Sequence, residues 1–117
     1  MSERVERWKT AWESLDLDRI VALYTPDATH TSRLVHHLNP EIGGCTLRGR
    51  EQIREYVVRG LVWFVKLEIR VSALVEADAL SVIEYVRASN IDPIPARVVE
   101  MLDWQGALIR SARVYHF

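Results

Sequence analysis

The sequence predicts an α+β domain, with helices in its first half and a sheet built from its second. Three observations carry that expectation. Apolar residues recur every three or four positions up to about Leu61, and from Val65 onward they alternate with polar ones. The alternating segments are separated only by short clusters of Asp, Asn, Pro and Gly. Consecutive strands joined this way pair antiparallel, and helices segregated from them pack on one face of the sheet. With 117 residues, 49% hydrophobic and 26% charged, the chain suffices for one core over residues 1–117, and disorder is excluded.

Ser2 is a natural N-cap for a first helix whose apolar stripe is Val5, Trp8, Trp12 and Leu15. Glu3 and Arg7 are spaced for an exposed ion pair on it. A second, short helix is capped near Asp16, carries Leu17, Ile20, Val21 and Tyr24 on one face, and is stopped by Pro26. Ala28 to Ser32 has the Thr content and alternation of a short strand. Arg33 to Leu47, holding Pro40, Gly43 and Gly44, is expected to be a loop, long enough to be either partly ordered or functional.

A third helix from Gly49 has Ile53, Tyr56, Val57, Gly60 and Leu61 on its apolar stripe. Arg48, Arg50, Arg54 and Arg59 form its solvated face. Val65, Leu67, Ile69, Val71, Ala73 and Val75 then mark one side of a half-buried strand. Ala77-Asp78-Ala79 turns into a strand from Leu80 to Ala88, and Asn90, Asp92, Pro93 and Pro95 mark a loop. Val98–Trp104 and Leu108–Phe117 are the last two strands, joined at Gln105-Gly106.

Charge and cysteine content narrow the function. Fifteen basic against sixteen acidic side chains argue against a nucleic-acid binder, which needs a basic surplus. Apolar runs such as Leu61–Val65 are far shorter than the ~20 residues of a membrane span, so no membrane partner is expected. The opening MSERVERWK lacks the apolar stretch of a signal peptide. The lone Cys45 has no partner for an internal disulfide and no neighbouring base, which fits a reducing, cytoplasmic setting. The four histidines include no HxH or HxxxH pair, so no metal site is expected.

Three segments carry a family resemblance. AWESLDLDRIVALYTPDAT (residues 11–29), LRGREQIREYV (47–57) and WQGALIRSARVYHF (104–117) resemble, in order and spacing, the nuclear-transport-factor-2-like superfamily. Within it the ketosteroid isomerases and SnoaL-like polyketide cyclases are most similar. The resemblance implies a cystatin-like roll: a cone in which a curved antiparallel sheet wraps three helices around an apolar pocket, often as a dimer across the sheet. It also implies positions. The isomerases' oxyanion tyrosine falls on Trp8, their general-base aspartate on Ser32 and their protonated aspartate near Glu100. Two of the three differ in chemistry, which argues against steroid isomerisation, because an unpartnered serine cannot take a carbon-bound proton.

Glu100 stands out independently. Val98, Leu102 and Trp104 share its strand side, and a carboxyl group among them loses hydration and holds its proton more tightly. Facing solvent or a partner, it would instead be an ordinary salt-bridged charge. His30 shares a side with Ser32 and reads either as a base or donor in the pocket or as a structural histidine. Arg113, with Tyr115 on the same side, is expected inward by the resemblance, where it could pair with Glu100 or hold a ligand carboxylate. Glu84, beside Val82 and Val86, repeats the Glu100 pattern. Trp8, Trp12, Tyr56, Trp104 and Tyr115 either fill the core or line the pocket.

Two functions fit. One is a cofactor-independent acid–base enzyme of isomerase, cyclase, dehydratase or hydrolase type, acting on a small apolar or acidic organic molecule, with Glu100 and His30 catalytic. The other is a non-catalytic ligand-binding or dimerising module. The side carrying Leu108, Arg110, Ala112, Val114 and His116 is apolar enough to suggest a homodimer across it.

Overall fold

Ser2 opens the first helix as an N-cap, its hydroxyl accepting from the Val5 backbone N–H, one of the donors a helix start leaves free. The computed structural model describes residues 1–117, and its α1 runs from Glu3 to Ser14 with Val5, Trp8 and Ala11 buried. Leu15 ends it in the left-handed region, and Asp16 caps α2, Leu17–Val21, by accepting from the Arg19 N–H. The Glu3–Arg7 pair is replaced by a longer-range contact, Arg7 donating to the Ala107 carbonyl.

The next segment departs from expectation. Tyr24 already belongs to β1, Tyr24–Thr31, so Pro26 lies within a strand and does not stop the helix. Its missing N–H is tolerated because β1 loses register with β6 between Tyr24 and Thr29. The expected loop is largely ordered as α3 (Arg33–Leu38), a 3-10 turn (Pro40–Ile42) and β2 (Thr46–Arg48). Ser32 caps α3, its Oγ accepting from the Leu34 N–H at 3.2 Å. There are thus four α-helices where three were expected.

Helix α4, Gly49–Leu61, buries Ile53, Tyr56 and Val57. Its arginines tether it and are not simply solvated. Arg50 Nε donates to the Tyr24 carbonyl at 2.8 Å, Arg54 meets Asp18 at 2.5 Å, and Arg59 bridges Glu41 and Glu55. No helix is long and apolar enough to cross a membrane.

Strands β3 (Leu67–Ala77), β4 (Leu80–Ser89), β5 (Ala96–Gln105) and β6 (Leu108–His116) complete a six-stranded sheet of order β2-β1-β6-β5-β4-β3. The sheet is mixed and not wholly antiparallel, because β1, contributed by the helical half, pairs parallel with β6. Gly106, at φ 60°, supplies the left-handed residue of the β5–β6 turn.

Two irregularities decide which side chains face the helices. In β3 the register slips at Ser72, so Leu74 packs against the core while Val75 is 68% exposed. In β6 the extra residue is Arg110, between the pairs Trp104–Ile109 and Asp103–Ser111. Ile109, Ala112, Val114 and His116 therefore face inward, and Ser111, Arg113 and Tyr115 face outward. This reverses the expected facing of Arg113 and Tyr115. It also removes the basis for a dimer across the Ala112–Val114–His116 side, because that side is interior.

One end of the cone is closed by a chain of polar contacts. Trp104 Nε1–H donates to Ser81 Oγ at 2.8 Å, and Ser81 donates to Glu76 Oε2 at 2.8 Å. Arg4 from α1 donates to the same carboxylate at 3.0 Å and lies 5.1 Å from the Trp104 ring centre. Ser81 is wholly buried and serves both as acceptor and donor. Ser81→Ala strands the indole N–H and is expected to cost about 1–3 kcal/mol. Urea unfolding showing a loss below about 0.3 kcal/mol would remove the network from the account of stability.

Candidate functional site

Trp8 and Trp12 lie one turn apart on α1 and put two indoles on the same wall. Opposite them the inner face of the sheet presents His30, Tyr85, Glu100, Val114 and His116. Helix α4 closes the side with Tyr56, Val57, Gly60 and Leu61. The space between is a cavity of about 240 Å³, with mostly apolar walls.

Glu100 is set in the most apolar part of the sheet. Its cross-strand neighbours are Ile83 and Val114, and Val98 and Leu102 flank it along β5. Only 4% of it is exposed. Oε1 accepts from the Tyr85 hydroxyl at 2.9 Å, and the Trp8 indole N–H lies near the carboxyl group without completing a hydrogen bond to Oε2. Burial pushes its pKa up to about 7, against the opposing pull of the Tyr85 O–H and the Trp8 indole N–H. Burial first, and then this carboxylate, raise the Tyr85 hydroxyl in turn.

His30 sits between Leu47 of β2 and Ala112 of β6. Its Nδ1 is 3.2 Å from the Tyr24 hydroxyl, its Nε2 has no partner, and its ring centre is 5.3 Å from that of Tyr56. Burial, with a smaller contribution from His116, lowers its pKa to about 4. Ser32 lies next along, its Oγ 3.5 Å from His116 Nε2.

The cavity opens beside Trp63 and Ile91, the exposed apolar residues of its lining. Arg87 is held there by Asp92 at 3.1 and 2.9 Å, and its guanidinium is 5.7 Å from the Phe64 ring centre. Two loops form the lips, one carrying Trp63 and Phe64 and the other Ile91. The Asn90 side chain joins them: Oδ1 accepts from Val65 N–H at 2.7 Å and Lys66 N–H at 3.2 Å, and Nδ2 donates to the Trp63 carbonyl at 3.0 Å.

The family model of the SnoaL-like domain matches residues 5–112. The chain belongs to the SnoaL-like family. Among curated proteins no significant match is found. Solved structures share the fold. A SnoaL-like protein of unknown function from Burkholderia thailandensis is 22% identical, with a TM-score of 0.80 over 96% of this chain and 89% of that one. A ketosteroid isomerase-like fold from Catenulispora acidiphila, in complex with trimethylamine, is 23% identical, with a TM-score of 0.78 over 98% and 85%. TerC, co-crystallised with polyporic acid, is 12% identical, with a TM-score of 0.79 over 98% and 89%.

Six of the residues singled out from the sequence meet on this SnoaL-like cavity: Trp8, Trp12, His30, Ser32, Tyr56 and Glu100. Three do not. Trp104 is displaced along its strand to the closed end, where Ser81 engages it. Arg113 points outward and pairs with Asp103 at 3.0 Å. Tyr115 is 53% exposed on the same outer face. Glu84 also lies outward, since Ile83 and Tyr85 take the inner side of β4.

Sequence reasoning missed Tyr85, Arg87 and His116. Strand β4 has apolar residues of both parities, Val82 and Val86 against Ile83 and Tyr85, so alternation does not decide which of them faces inward. His116 was placed on the wrong side by the unseen bulge at Arg110.

The shift at Glu100 links stability to pH. Between its ordinary pKa and about 7 the folded state binds more protons there than the unfolded state, so this contribution falls as pH rises through that window. His30 acts oppositely, between about 4 and its ordinary value, where stability rises with pH. Glu100→Gln removes only the first contribution. Its stability relative to the parent should therefore improve from the ordinary glutamate pKa up to about pH 7 and then level off, by an amount on the order of 3 kcal/mol. Chemical denaturation giving a pH-independent difference would show that Glu100 titrates normally.

Proposed function

We propose that this SnoaL-like protein takes a small, mostly apolar organic molecule into the cavity and that Glu100 passes a proton to and from an oxygen atom of it. The observation that carries this reading is the free Oε2 of a carboxyl group buried in an apolar wall. A pKa near 7 makes both protonation states accessible at neutral pH, so one residue serves as acid and then as base. Trp8, whose N–H lies near the same carboxyl group without a completed hydrogen bond, would help hold the accepting oxygen. Isomerisation or cyclisation through an enol, and loss of water, all use such a transfer. Two fold relatives that hold trimethylamine and polyporic acid support small organic molecules as a use of this cone.

The role of His30 changes. Neutral at pH 7 but with its pKa lowered to about 4, it is a poor base and a serviceable hydrogen-bonding group. The ground for an acidic ligand also weakens, because Arg113 points away and Arg87 is engaged by Asp92.

A pure binding role is favoured by one observation: where the isomerases carry their base, Ser32 uses its hydroxyl to cap α3. A thermal-shift screen of small cyclic compounds, followed by turnover assays on those that stabilise the protein, separates the two. Catalysis predicts that Glu100→Gln lowers turnover by about 10²–10⁴ while affinity changes far less. Tight binding by the parent without conversion assigns the binding role.

We also propose a homodimer, now across the outer face of the sheet. Val75, Val82 and Met101 form one cross-strand row there, and Val99 lies beside exposed Tyr115 in the next. Sedimentation equilibrium should show a dimer that Tyr115→Glu dissociates. A parent that sediments as a 13.5 kDa species at tens of micromolar rejects it.

A further inference from the structure

His30 and Tyr24 form a buried pair whose hydrogens can be assigned by counting partners. Both are almost fully buried, and the Tyr24 hydroxyl makes no side-chain hydrogen bond other than the one with Nδ1 of His30. If Nδ1 carried the proton and donated to Tyr24, the phenol hydrogen would have no acceptor and Nε2 would be a bare lone pair. Two buried groups would then be unmet. If Tyr24 donates to Nδ1, the phenol is satisfied and only Nε2–H remains unmet, on the cavity wall. The second arrangement costs less.

The same wall holds two more unpartnered donors, the indole N–H groups of Trp8 and Trp12, which can only donate. Glu100 adds a free oxygen that bears a proton in its neutral form. Trp8 packs edge-on against Tyr85, the tyrosine bonded to Glu100 on β5, whereas His30 lies on β1 with β6 between, so the donors fall into two places. No unpaired fixed cation lines the interior, since Arg87 is engaged by Asp92.

We propose that Tyr24 is a positioning residue that holds His30 as an Nε2–H donor, and that the cavity thereby selects uncharged cyclic dicarbonyl compounds. One acceptor oxygen is met by Glu100 and Trp8, the other by His30. This rests on the reading of the cavity as a ligand site and narrows what that site takes. An apolar cavity of roughly 150 Å³ admits benzene, so about 240 Å³ admits a small bicyclic compound.

The test has two independent arms. Long-range proton–nitrogen NMR on protein labelled at the histidine rings should show His30 protonated at Nε2 and bare at Nδ1. Protonation at Nδ1 overturns the positioning role of Tyr24. The second arm compares indane, 1-indanone and N-methylphthalimide, with no, one and two carbonyl acceptors on similar frames, by calorimetry. Affinity should rise in that order. His30→Phe should weaken N-methylphthalimide by about 3- to 10-fold, the worth of one hydrogen bond, and leave indane unchanged. Tyr24→Phe, checked for folding by circular dichroism, should release the tautomer preference and fall between parent and His30→Phe. Equal affinities across the series, or a His30→Phe loss shared by all three, overturn the selection for dicarbonyls. Failure of even indane to bind overturns the ligand-site reading itself, while the NMR still decides the tautomer.

Discussion

Side chains along a strand alternate between two faces, and one extra residue exchanges the faces for everything beyond it. That parity constraint governs the cavity. Arg110 is the extra residue in β6, and because of it Val114 and His116 enter the interior while Arg113 and Tyr115 leave it. A regular ladder would have put a guanidinium against Glu100 and would have drawn its pKa down instead of leaving it near neutrality. The slip at Ser72 in β3 likewise exchanges Val75 for Leu74 against the core. Such insertions also bend their strands, which lets one sheet wrap the helices.

The fold was legible where patterns ran long. Helix α1 carries its stripe over three turns, α4 does the same, and β5 alternates without interruption. Helix α3 was missed because six residues with two adjacent histidines show no period. The parallel β1–β6 pairing is a long-range contact on which local sequence is silent. Within the site, Glu100 was legible because a lone carboxylate among Val98, Leu102 and Trp104 contradicts its strand. His30 was legible by its place beside Ser32. Tyr85 was not, because a tyrosine among valines and isoleucine looks like core, and only the register shows it reaching the carboxyl group.

The two ends of the cone treat buried polar groups in opposite ways. At the closed end each has a partner: the Trp104 indole meets Ser81, Ser81 meets Glu76, and Glu76 meets Arg4. Around the cavity they are left over. Of five buried side-chain atoms without a hydrogen bond, those of Trp8, Trp12, His30 and Glu100 lie on its wall, and only that of Asn39 lies elsewhere. A core built for stability alone would not concentrate unmet groups in one place. Complementary chemistry brought in from solution would relieve the cost.

The Asn90 amide joins both lips of the mouth, and its three bonds lie at the surface, just beyond the end of the β3–β4 ladder and near Arg87, which also touches both lips. Parting the lips therefore asks for the loss of a few local contacts, not for disruption of the core. Access to the interior thus depends on contacts at the strand ends more than on the global folding equilibrium. A molecule can then enter or leave by local opening at this edge while the strands behind it stay paired.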